Sequence, residues 1–217
     1  MHAEARVEQS RARKLVYYPL ETFPVVIGMK VRIPLLAAAL CLTLDLPART
    51  QTIVSSGSTL AQQCFVFAKA GTKPRDGVQI CNASLKNDPL NARDRAATYG
   101  NRGVLLSAMN EVDKAESDFK TAIRLDATLG DPYVNLGSML IRKKQYHEAI
   151  EQINKGLELG MSFPQIGYYD RALAYDYLGR YTEAYADYKK TLEYDPSFKL
   201  ASDRLKDFIV TRKPGQG

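Results

Sequence analysis

The side chains that most often carry out chemistry are few in this sequence, and they are not grouped. There are two histidines, and only His147 lies beyond residue 50. Asp170 and Asp176 are close in sequence but do not have the i, i+4 spacing that places two carboxylates side by side on a helix. The sequence contains no Cys-x-x-Cys pair, glycine-rich phosphate loop or cluster of metal-ligand types. It therefore predicts no catalytic residue, no metal site and no cofactor.

A repeated pattern dominates the second half of the chain. Tyr99-Gly-Asn-Arg-Gly103 recurs as Tyr133-Val-Asn-Leu-Gly137 and, less closely, as Tyr168-Tyr-Asp-Arg-Ala172. An alanine that begins a second apolar stripe follows each copy; the three are Ala115, Ala149 and Ala184. The copies are 34 and 35 residues apart. This spacing predicts consecutive pairs of helices, A and B, in which small residues allow close packing and should not be ligands.

These residues resemble the tetratricopeptide repeat, which has an aromatic residue and a glycine in helix A and an alanine in helix B. The resemblance implies an all-α fold, a right-handed solenoid of antiparallel helix pairs in which each pair shares a core with its neighbours. The expected units are a degenerate hairpin at 59–91, repeats at 96–129, 130–163 and 165–198, and a capping helix at 196–210.

The resemblance also implies a concave face, formed by the A helices, that binds extended peptides or helices of partner proteins. Asn101 and Asn135 lie one repeat apart on this face, where an amide can both donate to and accept from a peptide backbone. Tyr169 and Tyr177 are expected to add apolar area with a polar tip. The other residues expected there are Val104, Ser138, Arg142 and Asp170. A solvated face that binds nothing is the alternative.

The charge pattern narrows the choice of partner. The net charge is +6, but acidic and basic residues alternate along the predicted helices. Nucleic-acid binding normally needs clustered lysine and arginine. Arg142 is the one basic residue at the places where related repeats clamp a C-terminal carboxylate, so that mode is not expected. We therefore predict a protein or peptide partner, and no nucleic acid.

Residues 29–48 have the order of a secretory signal peptide. Lys30 and Arg32 precede an apolar run at 33–44, and Pro47 and Ala48 follow. The run has 12 residues, short of the roughly 20 that a membrane-spanning helix needs. Cleavage is therefore expected, with no stable membrane span afterwards.

Export makes a periplasmic or secreted location the prediction. Residues 1–28 are expected to be a disordered N-terminal extension, or to lie upstream of the true start if translation begins at Met29, and 49–58 are expected to be a linker. Asp45 directly follows the apolar run, and the bulky Leu46 precedes the best cleavage point. Because both are unusual in a signal peptide, a cytoplasmic location is the alternative.

Export also bears on the cysteines. Removal of Cys41 with the signal leaves Cys64 and Cys81, which fall on opposite helices of the degenerate hairpin. In an oxidising compartment such a pair is expected to form a disulfide. Two reduced, buried thiols are the alternative if the chain stays in the cytosol.

Two classes of function remain open at this point. The first is a non-catalytic scaffold in the cell envelope that binds a protein or peptide on its concave face. The second is a structural component that self-associates or docks on an envelope complex through its N-terminal hairpin. A cytosolic interaction adaptor follows if the apolar run is not a signal, and the oligomeric state is not set by the sequence.

Overall fold

The structure is a computed structural model that describes residues 14–18 and 59–212. These residues form nine helices and two short strands. The helices are α1 Leu60–Ala70, α2 Pro74–Asn87, α3 Ala92–Ala108, α4 Val112–Leu125, α5 Gly130–Arg142, α6 Tyr146–Leu159, α7 Pro164–Tyr177, α8 Tyr181–Tyr194 and α9 Lys199–Leu205. The strands are β1 Lys14–Tyr18 and β2 Phe208–Arg212. The predicted signal segment and linker lie outside the described residues.

Consecutive helices pack as antiparallel pairs, and each pair packs on the next. α3 contacts α4, α5 contacts α6 and α7 contacts α8, while α4–α5 and α6–α7 contacts join the pairs. The predicted all-α solenoid of helix pairs is confirmed. No helix within 14–18 and 59–212 combines the length and the apolar character needed to cross a bilayer.

The small residues of the repeats lie where helix B meets helix A. A Cβ atom on Gly103 would be 2.6 Å from Cε1 of Phe119, and one on Gly137 would be 2.4 Å from Cγ1 of Ile153. Phe119 and Ile153 are almost completely buried. A side chain at either glycine would collide with this core. The close approach of helix A and helix B therefore requires a glycine at each of these two positions.

The N-terminal hairpin replaces this glycine contact with a pair of cysteines. Cys64 on α1 and Cys81 on α2 are fully buried, with Cα atoms 4.9 Å apart and sulfurs 2.07 Å apart. Gly71 and Asn110, the residues with positive φ that follow α1 and α3, are 39 positions apart. Cys64 therefore takes the place of Gly103.

The C-terminal end differs from the predicted helix at 196–210. α9 stops at Leu205, and the chain continues as β2, which pairs in parallel with β1. Phe208 packs on a cluster of tyrosines from α8, and the β-branched residues after it favour an extended chain. Residues 14–18, expected within a disordered extension, thus form a strand whose partner lies at the far end of the sequence.

Candidate functional site

A cleft of about 430 Å³ lies between the A helices of the first three hairpins and the start of α7. Helices α1, α3 and α5 contribute side chains, together with the loop between α6 and α7. Asn101, Val104 and Asn135, all predicted for the concave face, line this cleft. The structure thus brings together three of the eight residues that the sequence assigned to the binding face.

The side-chain amides of Asn101 and Asn135 are neutral polar groups of the cleft that are available to bond to a partner. Both side chains are half-buried, on α3 and α5. Within the described residues, neither amide has a hydrogen-bond partner. An amide held in a partly buried position can bond to the N–H and C=O groups of an added chain. Two of them, one repeat apart, suit an extended segment.

Exposed apolar side chains surround these amides. Phe65 is 45% exposed, Phe163 is 48% exposed and Ile166 is 40% exposed, and all three line the cleft. Large apolar side chains exposed together commonly mark an interaction surface. The sequence interpretation missed these residues. Because Cys64 takes the place of Gly103, Phe65 corresponds to Val104. Aligning the whole hairpin with the first repeat by one constant shift could not reveal this correspondence.

The cleft also holds one charge of each sign, from Lys69 and Asp131. Lys69 lies over the Phe65 ring, with Nζ 6.0 Å from the ring centre. Asp131 accepts hydrogen bonds from the Ser162 backbone N–H at 3.1 Å and from its hydroxyl at 3.2 Å. Asp131 follows the first residue of α5 and is not its N-cap. Its carboxylate instead holds the α6–α7 loop against the cleft.

Ser138 and Asp170 are placed side by side between α5 and α7. The Ser138 hydroxyl donates a hydrogen bond to the Asp170 carboxylate. Burial raises the pKa of Asp170 to about 6, and the bond from Ser138 opposes this rise. The two residues therefore join neighbouring repeats, and they do not line the cleft.

Arg142 and Tyr177 lie at the ends of their helices, away from the cleft. The Arg142 guanidinium donates to the Ser107 hydroxyl at 3.3 Å and also to the side-chain oxygen of Asn110. Tyr177 is 57% exposed and stacks on Tyr146, with ring centres 4.9 Å apart. Both side chains link their helices to the preceding repeat.

Tyr169 lies in an aromatic cluster with α8 and the residue before α9. Its ring centre is 5.1 Å from that of Phe198 and 5.7 Å from that of Tyr188. The corresponding residue of the second repeat, Val134, is completely buried. This position of the motif therefore packs one repeat on the next, and the assignment of Tyr169 to the binding face does not match the structure.

An arginine network appears twice on the helix-B side and was also missed. Arg102 makes two 2.7 Å bonds to the Asp118 carboxylate and one to Asn82 on the preceding hairpin. The third repeat has the same arrangement, in which Arg171 bonds to Asp187 and Asn154. The repeated Asn/Asp-Arg dipeptide was the available sequence signal. Each network ties a repeat to the one before it.

His147 is exposed on α6. Among the described residues there is no group of three or more histidine, cysteine, aspartate or glutamate side chains that could hold a metal ion.

Three of these hairpins match models of a known repeat family. Models described as "Tetratricopeptide repeat" match residues 96–129, 130–159 and 166–198. These three segments are tetratricopeptide repeats. The matched boundaries agree with α3–α4, α5–α6 and α7–α8.

The repeats are similar to those of several larger proteins. The Hsp70-Hsp90 organizing protein of Triticum aestivum is 30% identical over 93 residues, which is 43% of this chain and 16% of that protein. The chain spans less than a fifth of the length of the relatives that it matches. The likeness therefore concerns the repeats.

Solved structures show the same arrangement of helices. The crystal structure of MamA has a TM-score of 0.52 and 23% identity, covering 63% of this chain and 77% of that one. The first TPR of Spaghetti (RPAP3), bound to the HSP90 peptide SRMEEVD, has a TM-score of 0.50 and 22% identity, covering 52% and 90%. At these identities the likeness establishes the fold alone.

Proposed function

We propose that this chain is a non-catalytic scaffold whose tetratricopeptide repeats bind an extended segment of a partner protein in the cleft. The observation that carries the proposal is the pair of amides, Asn101 and Asn135, which have no partner among the described residues and lie one repeat apart between exposed apolar side chains. The amides would bond to the backbone of the segment. Phe65 and Phe163 would bury its apolar side chains.

The charges of the cleft define the kind of segment that fits. Lys69 is its cation, whereas Arg142 is engaged with the end of α3. The structure of the Spaghetti repeat domain with a peptide supports the idea that such a fold can hold one. The apolar walls and single lysine of this cleft favour a largely apolar segment with an isolated acidic residue. A clamp that depends on several lysine and arginine side chains is not part of the proposal.

The amides provide the sharpest test. A photo-crosslinking residue at Val104 would identify the partner segment by mass spectrometry, and calorimetry would then measure the affinity of a synthetic peptide of that segment. Asn101→Ala with Asn135→Ala is expected to weaken binding at least tenfold, because two backbone contacts of about 1 kcal/mol each are lost. The melting temperature should be nearly unchanged.

Gln79→Ala removes an exposed amide from α2 and is the matched control. It should leave both the affinity and the melting temperature at their original values. Equal affinity of the double variant and the original chain would refute the assignment of the cleft.

We also propose that the chain is an exported bacterial protein with a bridge between Cys64 and Cys81. The signal-like order of residues 29–48 and the contact between the two sulfurs support this. Intact mass of the protein purified from the envelope fraction tests both points. Cleavage near Ala48 and the loss of two hydrogens are expected. An uncleaved chain with two alkylatable thiols would favour the cytosolic alternative.

Self-association through the first hairpin is the second candidate. Val66 on α1 is 54% exposed and lies next to Phe65, so part of this apolar surface extends beyond the cleft. Light scattering across a concentration series separates the two: a monomer at all concentrations supports the cleft, whereas a concentration-dependent oligomer supports assembly.

A further inference from the structure

The strand at the C-terminus, β2, is paired with a segment from the other end of the chain. β1 runs parallel to it, with Lys14 beside Phe208. The Lys14 backbone N–H donates to the carbonyl oxygen of Asp207 at 2.9 Å. β1 also contacts α8. β2, which follows the last repeat, therefore has an edge on which β1 pairs as a second strand.

The Lys14 side chain enters a pocket between α7, α8 and β2. Its ammonium forms an ion pair with the carboxylate of Asp176, whose side chain is 6% exposed. The same nitrogen is 5.3 Å from the centre of the Phe208 ring and 5.9 Å from that of Tyr181. The carboxylate attracts a cation by its charge, and the neighbouring aromatic rings attract the same cation through their quadrupoles. The pocket is therefore suited to the ammonium group of a lysine.

Lys14 forms the ion pair with Asp176, and Arg204 is a second cation near this carboxylate. The hydroxyl of Tyr188 is buried and lacks a hydrogen-bond partner among the described residues. Burial, and then the charge of Asp176, raise the pKa of Tyr188 above its ordinary value. Arg204 is in the same cluster, where it interacts with Tyr188, Tyr169 and Asp176. A carboxylate held this far from water is unfavourable without a paired cation.

We propose that the β2 edge and the Asp176 pocket form a second binding site, for an extended segment that pairs in parallel with β2 and places a lysine on Asp176. Residues 14–18 are its resident occupant. Addition of a strand to a sheet edge is an established way to bind peptides, in which the backbone supplies affinity and a side-chain pocket supplies specificity. None of these residues lines the cleft.

The proposed export gives this site a means of control. If translation begins at Met1, cleavage near Ala48 would separate β1 from the repeats, because Lys14–Tyr18 precede the cleavage point; if it begins at Met29, β1 is absent from the start. The uncleaved chain then has a filled site, and the cleaved chain has an open one. A partner protein with an exposed lysine in an extended segment would replace β1.

Hydrogen exchange in the full-length chain tests whether β1 is the occupant. Lys14→Met keeps the length of the side chain but removes its charge. We expect it to raise the exchange rates of the β2 amides at least tenfold and to leave those of α3–α6 unchanged. Lys206→Met removes an exposed lysine that pairs with Asp203 and should change neither. Unchanged exchange in β2 of the Lys14→Met chain would overturn the proposal.

A labelled peptide of residues 12–20 tests the specificity of the site. Fluorescence anisotropy should show at least tenfold tighter binding to the full-length Lys14→Met chain than to the original chain, whose own segment competes. Adding Asp176→Asn to the chain, or placing methionine at position 14 of the peptide, should abolish that gain. Equal binding of the two peptides would overturn the role of the lysine. A dimer that dissociates on Lys14→Met would assign the strand to a second copy and overturn the resident segment.

Discussion

At the scale of single residues, the same motif position has different roles in successive repeats. Asn101 and Asn135 line the cleft, whereas Asp170, at the equivalent position of the third repeat, is bonded to Ser138 and joins two helices. An amide in the partly buried position carries no charge and can remain unpaired. A carboxylate there must be protonated or must accept a hydrogen bond, so the third repeat uses this position for packing.

Asp170 should give stability a pH dependence. Its folded-state pKa of about 6 is above its ordinary value, so the folded chain binds more protons than the unfolded chain between about pH 4 and 6. The free energy of unfolding should therefore fall as pH rises through this window, by at most about 1.4 kcal/mol per pH unit. Urea denaturation at several pH values should show this fall, and Asp170→Asn should flatten it.

Asp203→Asn is the control for this measurement. Hydrogen bonds from Lys206 and Lys199 lower the pKa of Asp203 below its ordinary value. Its titration therefore lies below the window, and the slope between pH 4 and 6 should stay as in the original chain. Identical slopes for the original chain and Asp170→Asn would contradict the role of Asp170.

At the scale of helices, glycine contacts and arginine networks hold the hairpins together. The first and third repeats have the network, whereas the second repeat has Leu136 and Gln152 at the corresponding positions. Leu136 is buried among apolar side chains. The same contact between helices is thus polar in the first and third repeats and apolar in the second.

This difference allows a test of the network. Asp118→Ala leaves the Arg102 guanidinium without its partner in a partly buried position, and should lower the free energy of unfolding by about 3 kcal/mol. Arg102→Leu with Asp118→Gln copies the second repeat and should cost less, since no charge is left unpaired. Urea denaturation measures both. A larger loss for the double variant would show that the apolar solution depends on its own surroundings.

At the scale of the whole molecule, the first hairpin packs on one neighbouring hairpin. Among the helices outside this hairpin, α3 is the one that α1 and α2 contact extensively. α1 nevertheless supplies Phe65 and Lys69 to the cleft. The stability of this hairpin therefore sets how often one wall of the cleft is in place.

The proposed bridge between Cys64 and Cys81 should supply much of that stability. A disulfide closing a loop of this length contributes about 3 kcal/mol, so a reductant should raise amide exchange in α1 and α2 of the oxidised protein at least tenfold. Cys64→Ala with Cys81→Ala should show the raised rate with or without reductant. Exchange in α5 and α6 is the internal reference. No response of the original chain to reductant would contradict oxidation.

Local spacing in the sequence is enough to specify the repeats. Gly103 and Gly137, followed at fixed distances by Phe119 and Ile153, can pack only if helix B lies across helix A, so local spacing specifies each hairpin. The two asparagines of the cleft follow from the same periodicity.

Which side chains remain exposed depends on how the helices assemble. Phe65 and Phe163 lie far apart in sequence and line the same cleft, while Tyr169 packs against Phe198 and Tyr188. The pairing of Lys14 with Asp176 joins residues 162 positions apart. Contacts of this kind depend on how several helices stack, and no periodicity within one segment records them.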